Sequence, residues 1–124
     1  MKKIIPLLFI SALFLFAVSC STFVKENEAE KLIKFEKTDD QFIDYLLLND
    51  VKTGDHLIKK GEKVRIIITV GGDWIKVYVY RADEELLLSR RNLALYLFED
   101  DFPDKKYSPD FLREKIYEVV KPLQ

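Results

Sequence analysis

The chain is poor in the residues that most often mark chemistry: one cysteine, one histidine, four glycines and four prolines in 124 residues. A single histidine, His56, excludes a multi-histidine metal site or a histidine relay within one chain. It follows the turn-like Lys52-Thr53-Gly54-Asp55 and reads as a solvated loop residue. A single cysteine excludes an internal disulfide framework. Gly71-Gly72 has neither the spacing of a phosphate loop nor a following Lys-Ser/Thr. Glu99, Asp100, Asp101 and Asp104 lack the regular ligand spacing and sharp glycine turn of a calcium loop, and read as solvated charge. Asp39, Asp44 and Asp73 offer no defined carboxylate pair for glycoside cleavage. No catalytic residue, metal ligand or cofactor is assigned, and the expectation is a protein that is not an enzyme. There is no basic surplus either: 20 basic residues face 21 acidic ones, so nothing in the charge draws the chain to nucleic acid.

What is present begins at the N-terminus. Met1-Lys2-Lys3 is a short positive start, and Ile4 to Val18 carries no charge. At ~1.5 Å per residue that run reaches only ~22 Å as a helix, short of the ~30 Å hydrocarbon core. It reads as an export signal over residues 1–19 rather than a permanent spanning anchor. Ala17-Val18-Ser19 also suits ordinary signal peptidase, with small residues at the third and first positions before the cut. In an exported protein the lone Cys20 would otherwise be a free reactive thiol or an intermolecular disulfide. Its place at the end of the apolar run points instead to lipid attachment.

Loss of residues 1–19 leaves 105 of the 124, enough for one small domain. Lys2 and Lys3 leave with the signal, so 18 basic residues face 21 acidic ones, a formal charge of −3. Residues 20–37 form a charged stretch around Val24, Ala29, Leu32, Ile33 and Phe35, a spacing that fits a loose helix or a tether. Thr38 followed by Gln41 matches a capping box, yet Phe42 to Val51 also suits a strand. The strand is the reading adopted here.

Val64, Ile66, Ile68 and Val70 alternate with Arg65, Ile67 and Thr69. After Gly71-Gly72-Asp73, Ile75, Val77 and Val79 alternate with Trp74, Lys76, Tyr78 and Tyr80. This predicts a tight hairpin whose turn uses a glycine at positive φ. Asn92 to Phe98 is a third strand. Ser108-Pro109-Asp110 opens a helix whose apolar face runs from Phe111 to Val120 and which Pro122 ends. The expected fold is mainly β (α+β): a small antiparallel sheet or partly open barrel over residues 38–124, with N- and C-terminal helices. Trp74, Tyr78 and Tyr80 are the candidate partner-binding residues. Their alternatives are a sheet face packed under a helix or a groove for a partner or peptide.

Three resemblances add to this. Residues 17–20, AVSC, resemble the lipobox of bacterial lipoproteins, in relaxed form because Ala17 replaces the common leucine. This implies cleavage before Cys20, acylation of its thiol, and attachment to a membrane of the bacterial cell envelope. Ser21, where enterobacterial inner-membrane lipoproteins carry aspartate, favours the outer membrane. The stretch LIKKGEKVRIIITVGGDWIKVYV resembles the first strands of bacterial SH3-like barrels, which implies an adaptor for cell-wall peptides or partner proteins. More widely, Lys59-Lys60-Gly61, Lys63 to Ile66, Ile75 to Val77, Leu95-Tyr96 and Asp100-Asp101 resemble the spirochaetal type II secretion system-associated lipoproteins. That implies a protein partner in an export machine and attaches no catalytic residue.

Overall fold

The computed structural model describes residues 23–85 and 88–123. Among these residues nine strands, β1 (Lys37–Thr38), β2 (Gln41–Phe42), β3 (Tyr45–Leu47), β4 (Val51–Thr53), β5 (His56–Ile58), β6 (Lys63–Val70), β7 (Trp74–Arg81), β8 (Asn92–Phe98) and β9 (Val120–Pro122), join two α-helices, α1 (Glu26–Glu30) and α2 (Pro109–Val119). The main sheet has five strands in the order β8-β7-β6-β3-β9, antiparallel at every pairing. It stays an open sheet, with two further hairpins, β1-β2 and β4-β5. The fold is therefore mainly β with a helix near each end of the described chain, as the alternating runs predict.

The long strands follow the predicted alternation. Val64 and Ile66 of β6 and Ile75, Val77 and Val79 of β7 are buried on one face. Leu112 and Ile116 of α2 pack against that face, together with Val24, Leu32 and Phe35 from the N-terminal segment. Lys59 to Glu62 turns the chain into β6, with Gly61 at φ +93°, a conformation a side chain resists. Gly61 N–H donates to Leu47 O at 2.8 Å, tying that turn to β3. At α2, the Ser108 side chain accepts from Phe111 N–H at 3.2 Å and Pro109 occupies the first turn, the predicted start.

Among the described glycines only Gly54 and Gly61 have positive φ, so the β6-β7 turn does not use a positive-φ glycine as expected; other local readings are decided or corrected in turn. Thr38 and Gln41 do not cap a helix: they pair across a two-residue turn in which Asp39 and Asp40 both have positive φ. Short polar side chains tolerate that conformation, so β1-β2 is a hairpin. Phe42 to Val51 is not one strand but parts of β2, β3 and β4. Of the two readings of residues 20–37, the described part takes the helical one: α1 continues into a 3₁₀ turn, Lys31–Phe35, and Val24, Leu32 and Phe35 belong to the core. Pro122 does more than follow a helix. Val120 leaves α2 in extended conformation, and β9 pairs with β3 through Val120↔Leu47. A residue before proline is pushed towards extended backbone, so Lys121-Pro122 favours this edge strand.

Candidate functional site

The pleat that sends Ile75, Val77 and Val79 inward sends Trp74, Lys76, Tyr78 and Tyr80 to the opposite face. Across β6 these meet Thr69 (opposite Lys76), Ile67 (opposite Tyr78) and Arg65 (opposite Tyr80). Across β8, Trp74 pairs with Phe98, Lys76 with Tyr96 and Tyr78 with Leu93. Val77 pairs with Leu95, so the step from Leu95 to Leu93 leaves Ala94 as an extra residue. Such a bulge reverses the parity of a strand. Tyr96 and Phe98 consequently face outward while Asn92 faces the core.

The outward face carries an aromatic platform at one end. Trp74 and Tyr96 meet edge to face with centroids 6.4 Å apart, and Tyr96 stacks on Phe98 at 4.5 Å. Lys76 Nζ lies 4.8 Å from the centroids of both Trp74 and Tyr96, in cation–π range of each. Tyr96 is 41% exposed and Phe98 45%. Trp74 and Tyr78 are half-buried.

Tyr80 does not share this platform. It is 1% exposed, yet lies outside the main core cluster. Its cross-strand neighbour Arg65 is held by Asp44 (Nε to Oδ1, 2.8 Å) and lies over the Phe42 ring at 5.1 Å. Burial pushes the Tyr80 hydroxyl pKa up, and Arg65 pulls against that shift. Of the three predicted binding residues, the fold leaves Trp74 and Tyr78 on an open surface and buries Tyr80. It adds Lys76, Tyr96 and Phe98, whose signal was the alternation in LYLF, residues 95–98.

His56 corrects another expectation. It begins β5, half-buried and bonded at both ring nitrogens. Nδ1 lies 2.8 Å from Asn92 Oδ1, and Nε2 lies 3.1 Å from an Arg81 terminal nitrogen. Arginine offers only donors, so Nε2 accepts and Nδ1 carries the proton donated to Asn92. Asn92 Nδ2 donates to Val51 O and His56 O, both at 2.9 Å. Arg81 also donates to Glu62 at 2.8 Å and to Leu57 O at 2.9 Å. This network fastens the β4-β5 hairpin over the starts of β8 and β6. It is a polar seam.

The acidic loop is likewise occupied with its own structure: Asp101 Oδ2 accepts from Phe98 N–H at 2.8 Å, and Lys105 lies 3.9 Å from Asp100. Among the described residues, no three His, Cys, Asp or Glu side chains group as metal ligands, and no helix is long and apolar enough to cross a membrane. Cys20 and the expected export signal at 1–19 lie outside the described residues. Comparison with family models, curated proteins and solved structures returns no match.

Proposed function

We propose that this chain is a lipoprotein of a bacterial cell envelope, anchored through acylated Cys20, and that its domain is a non-catalytic binding or accessory module. The partner in this reading is a component of a type II secretion system. The observation that carries the binding role is the sheet face opposite the core, where Trp74, Tyr78, Tyr96 and Phe98 remain accessible or half-buried around Lys76. Tyrosine and tryptophan concentrate at protein interfaces because they present large, rigid area with a polar handle. The AVSC stretch and its lone cysteine support the anchor. An acyl chain adds ~0.8 kcal/mol of membrane affinity per buried methylene, so two or three chains hold a domain firmly without a spanning helix.

Crosslinking in intact cells, followed by capture of the protein from membranes, tests this reading. Recovery of secretion-system components is the expected result, and intact mass should show acyl groups on Cys20. The open antiparallel sheet is compatible with the SH3-like resemblance, and this favours a second reading: a module for cell-wall peptides on the same rings. Retention on purified peptidoglycan, lost with Tyr78→Ala, would select it. A small hydrolase is the remaining alternative and would need turnover of a cell-wall substrate.

A further inference from the structure

We infer that the Trp74–Phe98 end of the aromatic face docks on the bilayer interface, so that the anchored domain lies against the membrane instead of hanging free of it. The inference rests on the lipoprotein reading and names a partner for one end of the same face.

The first argument is the length of the leash. Cys20 precedes Phe23 by three residues, which span at most ~11 Å of extended chain. That compares with a headgroup layer of roughly 5–8 Å on each side of the hydrocarbon. Phe23 is not free to lengthen the leash. Its ring meets Phe102 edge to face at 5.1 Å, and the next residue, Val24, is 2% exposed. The folded domain therefore starts where the anchor ends.

The second argument is where the leash enters. Phe23 and Glu99 line one depression of about 450 Å³. Glu99 directly follows Phe98, and its N–H donates to Asp73 O at 2.8 Å, directly before Trp74. Trp74 and Phe98 are cross-strand partners. The rung that ends the aromatic face thus adjoins in sequence the depression that Phe23 lines, at the same end of the sheet as the anchor's point of entry, and a membrane holding Cys20 is brought to that end. Tryptophan and tyrosine, apolar in body and polar at the tip, favour the interfacial zone of a bilayer. The charge around the depression is mixed: Lys25, Lys105 and Lys106 share it with Glu28 and Glu99, and Lys105 also lies 3.9 Å from Asp100. Docking is therefore expected to depend on the rings and not on anionic lipid.

Trp74 is the only tryptophan in the chain, so its emission reports the face directly. The mature protein, natively acylated, is placed in phosphatidylcholine vesicles carrying brominated acyl chains. A second sample, with Cys20 unacylated, is coupled through that sole thiol to a maleimide-headgroup lipid. The expected result in both is loss of most Trp74 emission to chains brominated near the headgroup, with protection from acrylamide. Added salt or anionic lipid should change neither. The paired substitution Tyr96→Ser and Phe98→Ser, at exposed positions, should restore acrylamide access while the far-ultraviolet spectrum stays native. Trp74 emission that is unquenched while the protein stays on the vesicles overturns the docking inference and leaves the anchor intact. An intact mass without acyl groups overturns the anchor reading, and the coupled sample still decides whether the face takes a bilayer.

Discussion

The indole of Trp74 lies on the bare α-carbon of Gly71: a methyl group built there would come within 2.0 Å of Trp74 Cε2. Gly71 N–H also donates to Trp74 O at 2.9 Å, closing the turn around Gly72 and Asp73. The φ of Gly71 is not positive, so the reason for glycine here is space and not backbone freedom. Gly71→Ala must displace the ring, and with it the Trp74–Lys76 contact. Overpacking of this kind costs ~1–3 kcal/mol. Because Trp74 is half-exposed and can swing away, the lower end, about 1 kcal/mol, is expected. Chemical denaturation followed by tryptophan emission reads both effects; an unchanged midpoint with unchanged native emission would refute the contact.

Among the described residues, Asn92 is the one polar residue classed as buried, at 1% exposure. Its amide serves two backbone carbonyls of the β4-β5 hairpin and its oxygen receives His56. Asn92→Ala leaves those groups unpaired, and each buried unpaired group costs ~1–3 kcal/mol. A loss of about 3 kcal/mol is expected, with faster amide exchange confined first to residues 51–58. Asn92→Asp should be at least as harmful, since a carboxylate cannot donate to Val51 O or His56 O. Nitrogen NMR should find the His56 proton on Nδ1, and a proton on Nε2 alone would contradict the seam.

Much of the sheet was legible because one side of β6 and β7 must be apolar and the other need not be. The strict alternation from Val64 to Val79 carries that information locally. So does the Ser108-Pro109-Asp110 cap, whose bond spans three residues. The unread parts depend on contacts distant in sequence. Tyr80 looks equivalent to Tyr78 in its strand, and groups distant in sequence set it apart, among them Arg65, which Asp44 holds from the β2–β3 connection. The bulge at Ala94 changes which side Asn92 faces, and nothing in NLALYLF announces a parity change. β9 is three residues after a helix, too short to show any period.

Two glutamates should shift stability with pH in opposite senses. The Arg81 hydrogen bond, then the Lys59 N–H, holds the Glu62 carboxyl below its ordinary 4.5. Its stabilisation is present above that pH and is lost as pH falls through the lowered value. Burial raises the Glu36 carboxyl above 4.5, against the Ile68 N–H and Lys37. Its contribution is present below 4.5 and is lost as pH rises through the raised value. Glu62→Gln should therefore be less stable than wild type at neutral pH, the gap closing in acid. Glu36→Gln should match wild type in acid and gain on it towards neutrality, since an amide oxygen can still accept from Ile68. Urea midpoints across that range measure both, and parallel curves for either variant would refute its assignment.

Tyr78 and Tyr80 point the same way from one strand, yet substitution should separate them. Tyr80 is enclosed, so Tyr80→Ala is expected to cost ~3–5 kcal/mol, as other buried aromatic truncations do. Tyr78 is half-buried between Ile67 and Leu93 and makes a smaller contribution to the fold. Tyr78→Ala should cost about 1 kcal/mol of stability. If the rung belongs to the partner face, the same change should weaken capture of the crosslinked partner by ~2 kcal/mol or more. Denaturation midpoints and partner recovery must be read on both variants, because an unstable Tyr80 variant would lose binding through unfolding alone. A Tyr78 variant that is folded and fully competent in capture would remove Tyr78 from the binding face. Recovery lost from a folded Tyr78 variant would locate the partner on this side of the sheet, since Tyr78 lies on the opposite face from the Asn92 seam and the α2 core.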